Sequence, residues 1–482
     1  MNKYNRLKNF RHDTYEMLVK SKDATFELMD SIMTRENARS LAQFSLSPFF
    51  QRQWCSTYEA AEDSRPNGKK LMKRYTQEID TLEYTLLGID HTQWECKDSP
   101  TMKDRGYQYS HSSLNSSVVG QGYSTIAWLP PLKEKGSWAL PLRHERITSF
   151  ETPLSKARWQ LKQVCRELPE NRRKLVVLDC EYGNGKFIQQ TADIEISKLI
   201  RVRSNLCLYS KPDPYSGRGR PKKHGAKWKL NQCDDFPQSN KVLEMEDSSL
   251  GLIRISKWTE LHFYNAPTQQ LTLFKIERLK EKKTGSLHRP LWLIWVGEEF
   301  LSLEYIWSQY RRRFGLEHWY RFAKQRLHWT LPNFRTPDRC QRWSNLIVNI
   351  TWQLWLSKDL VQEHHLPWQK PQQNLTPGRV ALSMTSLLIE IGSPTLSPKS
   401  RGKSHGWNLK GEKETKLKFI PPLKNSNPKV KKGEKPNFEG IVNSIYFLRK
   451  LIFVSLLIVL QFFLSLNYSE IGVRLQVAGS RL

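Results

Sequence analysis

Apolar and polar residues alternate with two different periodicities along the chain. Up to about residue 80 the apolar positions recur at helical spacing, as in Phe26, Leu28 and Met29, which predicts several short helices with basic exposed faces. From residue 81 onward, short apolar runs bounded by Gly, Pro and Asp are typical of strands. Helical segments alternate with these runs, so the pattern predicts an α/β fold with a mixed sheet flanked by helices.

The individual elements follow from the same pattern. Strands are predicted at residues 84–90, 117–119, 125–129, 137–150, 174–179, 198–208, 253–274 and 291–296. Helices are predicted at residues 156–168, 186–192, 302–327 and 342–360. Ser302 is the expected N-cap of the third of these helices, with Glu304 in its first turn.

The charge of the chain predicts a polyanionic partner. Lys and Arg number 76 against 47 Asp and Glu, which gives a formal charge of +29. Nucleic acid rewards many cations at once, because phosphate contacts release counterions. The 17 Trp residues argue against a largely disordered chain. Seven cysteines without a C-x-x-C pair exclude a typical disulfide framework or zinc knuckle and favour reduced thiols in a cytosolic protein.

The two ends of the chain differ in character. The N-terminus carries no apolar signal-peptide region. Residues 399–435 are rich in Lys, Pro and Gly and are expected to form a flexible cationic tail. Residues 451–466 are strongly apolar but fall short of the ~20 residues of a spanning helix. Membrane association through residues 441–466 is therefore not expected, although a membrane-anchored basic protein stays an alternative hypothesis.

Two carboxylates end apolar runs that predict strands. Asp90 follows the run 84–89, and Asp179 follows the run 174–178. A carboxylate at the end of a strand can hold a hard cation at the edge of a sheet. Asp also ends strands simply because it favours turns, and either residue alone fits that interpretation equally well.

The predicted helix 302–327 places four functional side chains on one face. Tyr310, Arg313, Glu317 and Lys324 fall within a narrow stripe at about 100° per residue. A carboxylate between two cations stays ionised. The alternative is a surface ion pair between Arg313 and Glu317, worth a few tenths of a kcal/mol.

A basic loop is a second candidate for nucleic-acid contact. The segment contains Arg218, Arg220, Lys222 and Lys223 between glycines and a proline. Such a segment can lie in a narrow minor groove, or it can make generic phosphate contacts from solvent. Trp258, on a predicted strand, is either a core residue or a platform for an unpaired base.

These residues together resemble a known family. The spacing Tyr310-x2-Arg313-x3-Glu317-x6-Lys324 is similar to the Y-R-E-K signature of bacterial insertion-sequence DDE transposases. Asp90, in Asp90-His91-Thr92, and Asp179 occupy the places of the other two carboxylates of that family. The resemblance covers roughly residues 35 to 410.

The resemblance implies an RNase H-like catalytic core interrupted by an inserted β-rich subdomain. The implied parts are a helical N-terminal region expected to bind DNA (1–80), the first part of the core (81–208), the inserted subdomain (209–290), the second part of the core with the Glu-bearing helix (291–365), a basic C-terminal tail (366–440) and an apolar extension (441–482). The extension does not resemble the family.

The implied function is DNA transposition. Asp90, Asp179 and Glu317 would be the catalytic residues and would hold two Mg²⁺ ions, which Mn²⁺ can replace. Tyr310, Arg313, Lys324 and the basic loop would contact DNA. The expected partner is double-stranded DNA, namely the inverted-repeat ends and the target, bound by a dimer in the bacterial cytoplasm, with no small-molecule substrate. The alternative is a catalytically inactive DNA-binding protein derived from a transposase.

Overall fold

The computed structural model describes residues 2–80, 84–109, 117–131, 138–215, 217, 219–280, 288–297, 302–363, 367–368, 370, 374–399, 418–419 and 421. Arg218 and the predicted apolar extension (441–482) lie outside the described residues, and so does the predicted basic tail beyond residue 399, apart from three positions. Within the described part of the chain, no helix combines the length and the apolar character needed to cross a lipid bilayer.

A mixed sheet organises the described chain. Its 12 strands are β1 (Tyr84–Glu95), β2 (Gly106–Tyr109), β3 (Ser117–Trp128), β4 (Leu140–Ile147), β5 (Arg173–Leu178), β6 (Ser197–Val202), β7 (Cys207–Ser210), β8 (Lys227–Lys229), β9 (Lys241–Asp247), β10 (Gly251–Phe263), β11 (Ala266–Arg278) and β12 (Leu291–Val296). Strands β7 to β11 therefore extend the sheet that β1, β5 and β6 begin.

The order and direction of the strands determine which strand ends meet at each edge of the sheet. The path is β2-β3-β1-β5-β6-β12-β11-β10-β7-β8, with β4 pairing β3 and β9 pairing β10. Strands β1, β5 and β6 run parallel, and the other pairings of the described sheet are antiparallel. The carboxyl ends of the three parallel strands consequently share one edge of the sheet.

Helices flank this sheet. They are α1 (Lys3–Glu16), α2 (Lys22–Thr34), α3 (Cys55–Asp63), α4 (Gly68–Thr76), α5 (Pro153–Glu167), α6 (Gly185–Gln190), α7 (Leu303–Arg311), α8 (Phe314–Gln325), α9 (Pro337–Ser357), α10 (Pro377–Leu382) and α11 (Met384–Ile391). Helix α5 packs on β3 and β4, α8 on β1, and α9 on β4. The apolar run 175–178 of β5 is fully buried, as expected for a parallel strand covered on both faces.

A buried ion pair joins the N-terminal helices to the rest of the chain. Arg11 of α1 is 2% exposed and donates to both carboxylate oxygens of Asp30 on α2, at 2.9 Å each. The same guanidinium donates to the side-chain oxygen of Gln353 on α9. Removing one partner of such a buried pair typically costs about 3–5 kcal/mol, so this contact fixes α1 and α2 against α9.

The α/β class is confirmed, and several predicted elements need correction. The predicted strands 117–119 and 125–129 form one strand, β3. The predicted strand 198–208 is two strands, β6 and β7, because a turn closes from the N–H of Leu206 to the carbonyl of Arg203. The predicted strand 253–274 is the β10–β11 hairpin. The predicted helix 302–327 is the two helices α7 and α8, although Ser302 does cap the first by accepting a hydrogen bond from the N–H of Tyr305.

Substitution of Gly120 tests how closely β3 packs against β1, the strand that carries Asp90. Gly120 lies on β3 between Glu95 of β1 and Gly106 of β2, and a Cβ atom there would stand 2.2 Å from the carbonyl oxygen of Trp94. Because that atom belongs to the backbone, Gly120→Ala is expected to lower the free energy of unfolding by about 1–3 kcal/mol in a urea titration.

Gly378→Ala is the matched control. A Cβ atom at Gly378, in α10, would meet no atom within 4 Å. This variant should be neutral or more stable by up to about 1 kcal/mol, since Ala favours helices. Equal stability of the two variants would contradict the close approach of β1, β2 and β3 at Gly120.

Candidate active site

Two aspartates lie side by side where strands β1 and β5 stop pairing. The last parallel pair is Ile89 with Leu178, and Asp90 and Asp179 are the next residues of the two strands. The negative charge of Asp179 contributes to raising the pKa of Asp90. Adjacent carboxylates of this kind repel each other and favour a cation between them.

The prediction that Asp90 ends its strand is wrong. Strand β1 continues to Glu95, because β3 pairs with it from Leu87 to Glu95. The parallel neighbour β5 ends at Leu178, and Asp179 follows it as predicted. Asp90 therefore lies within β1, at the point where the neighbouring strand β5 has ended.

The surroundings of Asp90 disfavour its charge. Its side chain is 16% exposed, and burial raises its pKa to about 6. The positive charge of Arg313 and the backbone N–H of His91, which donates to Oδ1 at 2.8 Å, oppose this rise. The net rise indicates that these two contacts do not fully offset the burial of the carboxylate.

The break between α7 and α8 changes the geometry of the four-residue stripe. The N–H groups of Arg313, Gly315 and Leu316 donate to carbonyls three residues earlier, so the chain makes a tighter turn there than an α-helix does. Each residue of such a turn rotates further about the axis. Tyr310 and Arg313 are buried, whereas the side chain of Glu317 is 48% exposed.

Arg313 connects the helix to Asp90. Its Nη2 donates to Oε1 of Glu317 at 2.8 Å, and its Nη1 lies 3.7 Å from Oδ2 of Asp90. The guanidinium is 2% exposed, and its carbon lies 5.9 Å from the ring centre of Tyr310. Burial opposes its charge, but the combined effect of Tyr310, Asp179, Asp90 and Glu317 raises the pKa of Arg313, so it stays a cation.

Several buried donors at this site make no hydrogen bond within the described chain. They are Nε and Nη1 of Arg313 and the hydroxyl of Tyr310. Oδ1 of Asp179 is likewise buried and accepts none. Buried polar groups are normally paired, so these atoms are suited to contact a ligand.

Lys324 reaches the same face of β1. Its ammonium donates to the hydroxyl of Thr92 at 2.9 Å. Thr92 lies two residues after Asp90, and alternate residues of a strand share a face. Burial lowers the pKa of Lys324. The structure thus brings Arg313 next to Asp90 and Lys324 to the same strand, whereas Glu317 of the predicted stripe is half exposed.

Three further residues of the site were not predicted from the sequence. Nη1 of Arg201, on β6, lies 3.6 Å from Oδ1 of Asp179. Nε2 of His91 lies 3.2 Å from a carboxylate oxygen of Glu181, in the loop after β5. The only sequence signal for Arg201 is its position near the carboxyl end of the predicted strand that follows Asp179. This position points to the site only when β6 is known to pair with β5.

The predicted basic loop is exposed and separate from the carboxylates. Arg220, Lys222 and Lys223 are exposed, and none of them contacts Asp90, Asp179 or Glu317 among the described residues. Gly217 and Gly219 have φ values of +82° and +76°, which favour glycine.

Trp258 is a core residue. Its side chain is buried against Phe236 and Trp292, and its indole N–H donates to the carbonyl of Pro237 at 2.9 Å. Trp258 is therefore part of the core, and its ring has no open face on which a base could stack.

The candidate carboxylates fit a divalent cation only in part. Among the described residues, no group of three or more His, Cys, Asp or Glu side chains is arranged to hold a metal ion. Asp90 and Asp179 provide adjacent oxygen donors of the kind that Mg²⁺ prefers. Glu317 is instead paired with Arg313 and half exposed, so it would have to leave that pair to join them.

Neither family models nor curated proteins assign this chain to a family. No family model matches it, and no curated protein is significantly similar to it. Its function is therefore inferred from its own residues and their geometry.

The pKa of Asp90 predicts how stability depends on pH. Because the pKa is raised from 3.8 to about 6 on folding, its contribution to stability is full below pH 3.8 and is lost as the pH rises through about 6. Asp90→Asn removes this loss. Relative to wild type, the variant should gain on the order of 2–3 kcal/mol between pH 4 and pH 7, measured by denaturant unfolding in EDTA.

Asp98→Asn is the control for this measurement, because Asp98 is exposed. Its stability should follow the wild-type curve at every pH. If the curve of Asp90→Asn also runs parallel to the wild type, Asp90 is not held in a site that disfavours its charge.

Proposed function

We propose that this protein is a DNA transposase that cleaves the ends of an insertion sequence and joins the 3′-hydroxyl to target DNA. The observation that carries the proposal is the pairing of β1 with β5, which places Asp90 beside Asp179 and brings both within reach of Arg313 from the α7–α8 turn. The same guanidinium holds Glu317, the third carboxylate of the proposed set.

The strand arrangement supports an RNase H-like core as the finer fold assignment. Strands β4, β3 and β1 are antiparallel, and β5 and β6 continue from β1 in parallel. The first carboxylate lies on the central strand, the second follows its parallel neighbour, and the third is on a helix packed against β1. This arrangement is compatible with that core, with residues 209–290, which hold β8 to β11, as the proposed insertion and β12 in the second part of the core.

The proposed roles of the residues follow from their charges and contacts. Two Mg²⁺ ions bound by the carboxylates would activate the attacking oxygen and stabilise the leaving oxygen. Asp90 and Asp179 would hold them, and Glu317 would join after leaving Arg313. Arg313 and Lys324 would neutralise the phosphate of the DNA end, since Arg313 is a buried cation next to Asp90 and Lys324 is a half-buried cation bonded to Thr92, two residues further along β1.

The position of Glu317 also supports a second candidate. A transposase-derived protein that only binds DNA would keep the basic surface and the Arg313–Glu317 ion pair without assembling a metal site. The half-exposed Glu317 and the absence of a three-residue metal group in the described chain favour this alternative. DNA cleavage separates the two functions.

Glu317→Gln is the most specific test of the proposed activity. The substitution keeps the volume but removes a charged metal ligand, so it should abolish Mg²⁺-dependent cleavage of DNA that carries the sequences flanking the gene. Because Glu317 is half exposed, stability should change by less than about 1 kcal/mol, and DNA binding should persist. Asp90→Asn and Asp179→Asn should also abolish cleavage, whereas Arg313→Ala and Lys324→Ala should reduce it and weaken binding.

Glu304→Gln is the matched control, because Glu304 is also an exposed glutamate in the first turn of a helix. It should cleave like wild type. An active Glu317→Gln protein would remove Glu317 from the site. A wild-type chain that binds the DNA but cleaves it with neither Mg²⁺ nor Mn²⁺ would favour the binding-only alternative.

The basic loop predicts part of the salt dependence of DNA binding. Each phosphate contact adds about 0.9 to the slope of log K against log salt. Replacing Arg220, Lys222 and Lys223 by Ala should therefore lower the slope by up to about 3 in fluorescence-anisotropy titrations between 50 and 200 mM salt. A slope equal to that of wild type would exclude this loop from the DNA interface.

A further inference from the structure

A polar cavity lies at the opposite end of the sheet from Asp90 and Asp179. It has a volume of about 410 Å³ and is lined by the amino-terminal residues of β5 and β6 and by the end of β12. Because β5 and β6 are parallel, their first residues share the edge that is remote from the candidate active site. A cavity of this size is in the range of small-ligand sites.

Two buried lysines line this cavity. Lys174 of β5 is 7% exposed, and Lys198 of β6 is 4% exposed. Val176 pairs with Lys198, so Lys174, two residues before Val176, points to the same face of the sheet as Lys198. Burial raises the pKa of Cys165, and the positive charges of both lysines oppose that rise.

Neither lysine has a carboxylate partner within the described chain. Lys174 makes no hydrogen bond or ion pair there, and Lys198 donates only to the carbonyl of Ile196, at 3.2 Å. The two acids of the lining, Glu170 and Glu195, are exposed and pair with neither lysine. The side chains of both lysines are largely buried, and an anion in the cavity would supply the counter-charge that no carboxylate of the described chain provides within ion-pair distance.

A third cation of the lining has an unpaired buried donor. Nη1 of Arg172 is inaccessible to solvent and makes no hydrogen bond with the described chain. Burial lowers the pKa of Lys198 to about 8, and the charges of Cys165 and Asp193 offset this only in part. An oxyanion with several acceptor oxygens could satisfy the three cations together.

We propose that Lys174, Lys198 and Arg172 form a binding site for a phosphate group at the edge of the sheet remote from Asp90 and Asp179. The phosphate is carried either by a small molecule or by the DNA backbone. The site does not depend on the proposed transposase activity, because its residues are separate from the carboxylates.

Titration of the full chain with pyrophosphate tests this site. Calorimetry should show binding, and pyrophosphate should raise the melting temperature. Lys174→Met and Lys198→Met keep most of the aliphatic side chain but remove the charge, and each should weaken binding by roughly tenfold or more. Lys73→Met, which removes an exposed charge on α4, should bind like wild type.

The melting temperature without ligand shows whether the variants fold. Removing a buried unpaired charge should leave it unchanged or raise it, so weaker binding by a stable variant is not explained by unfolding. No binding of pyrophosphate by wild type, or equal binding by wild type and both lysine variants, would overturn the proposal.

A short DNA duplex added to the wild-type complex distinguishes the two sources of phosphate. If the duplex displaces pyrophosphate and Lys174→Met weakens duplex binding, the site holds a backbone phosphate. If pyrophosphate stays bound beside the duplex, the site holds a small phosphate-bearing molecule. Either result supports the site, provided that the lysine variants weaken pyrophosphate binding as expected.

Discussion

Two carboxylates brought side by side by a pair of parallel strands need compensating cations, and the chain itself provides Arg313 near Asp90 and Arg201 near Asp179. The guanidinium of Arg313 is almost fully buried, lies 3.7 Å from Asp90 and binds Glu317. The turn between α7 and α8 places this side chain, and the packing of α8 on β1 keeps it next to the carboxylates. Without Arg313, the repulsion between Asp90 and Asp179 would be opposed mainly by Arg201 and by backbone hydrogen bonding.

Arg313 also explains why the site is neutralised only in part by the described chain. The ion pair with Glu317 satisfies one side of the guanidinium, but Nε and Nη1 stay without hydrogen bonds in the described chain. A divalent cation at Asp90 and Asp179 would replace the charge that Arg313 now offers to Asp90. Arg313 would then be available to a phosphate, and Glu317 to the cation, so the two changes favour each other.

Part of this arrangement could be predicted from the sequence. The wrong predictions each depend on a strand pairing or a turn that the sequence pattern does not show. The apolar runs before Asp90 and Asp179 predicted two strands but not their pairing, and the spacing of Tyr310, Arg313, Glu317 and Lys324 predicted one common face. The continuation of β1 beyond Asp90 depends on pairing with β3, which periodicity within one segment does not show. The tighter turn at Arg313 accompanies the exposure of Glu317, and Gly315, a poor helix former inside the predicted helix, is the one residue type that signals an irregularity there. Arg201 joins the site only through the pairing of β5 with β6.

The two ends of the parallel strands carry opposite charge. One end presents Asp90 and Asp179, and the other presents Lys174 and Lys198. Both pairs are incompletely neutralised by the described chain, which is typical of sites that bind a ligand rather than of a solvated surface. The proposed function assigns a metal cation to the carboxylate end, and the proposed phosphate site assigns an anion to the lysine end.

The location of Mn²⁺ in crystals of the full chain tests the central claim most directly. Anomalous diffraction after soaking at saturating Mn²⁺ should show metal bound between Asp90 and Asp179, with the Glu317 side chain moved away from Arg313 and toward the metal. Crystals that show no metal at Asp90 and Asp179, with Glu317 still paired with Arg313, would contradict the proposed metal-dependent chemistry.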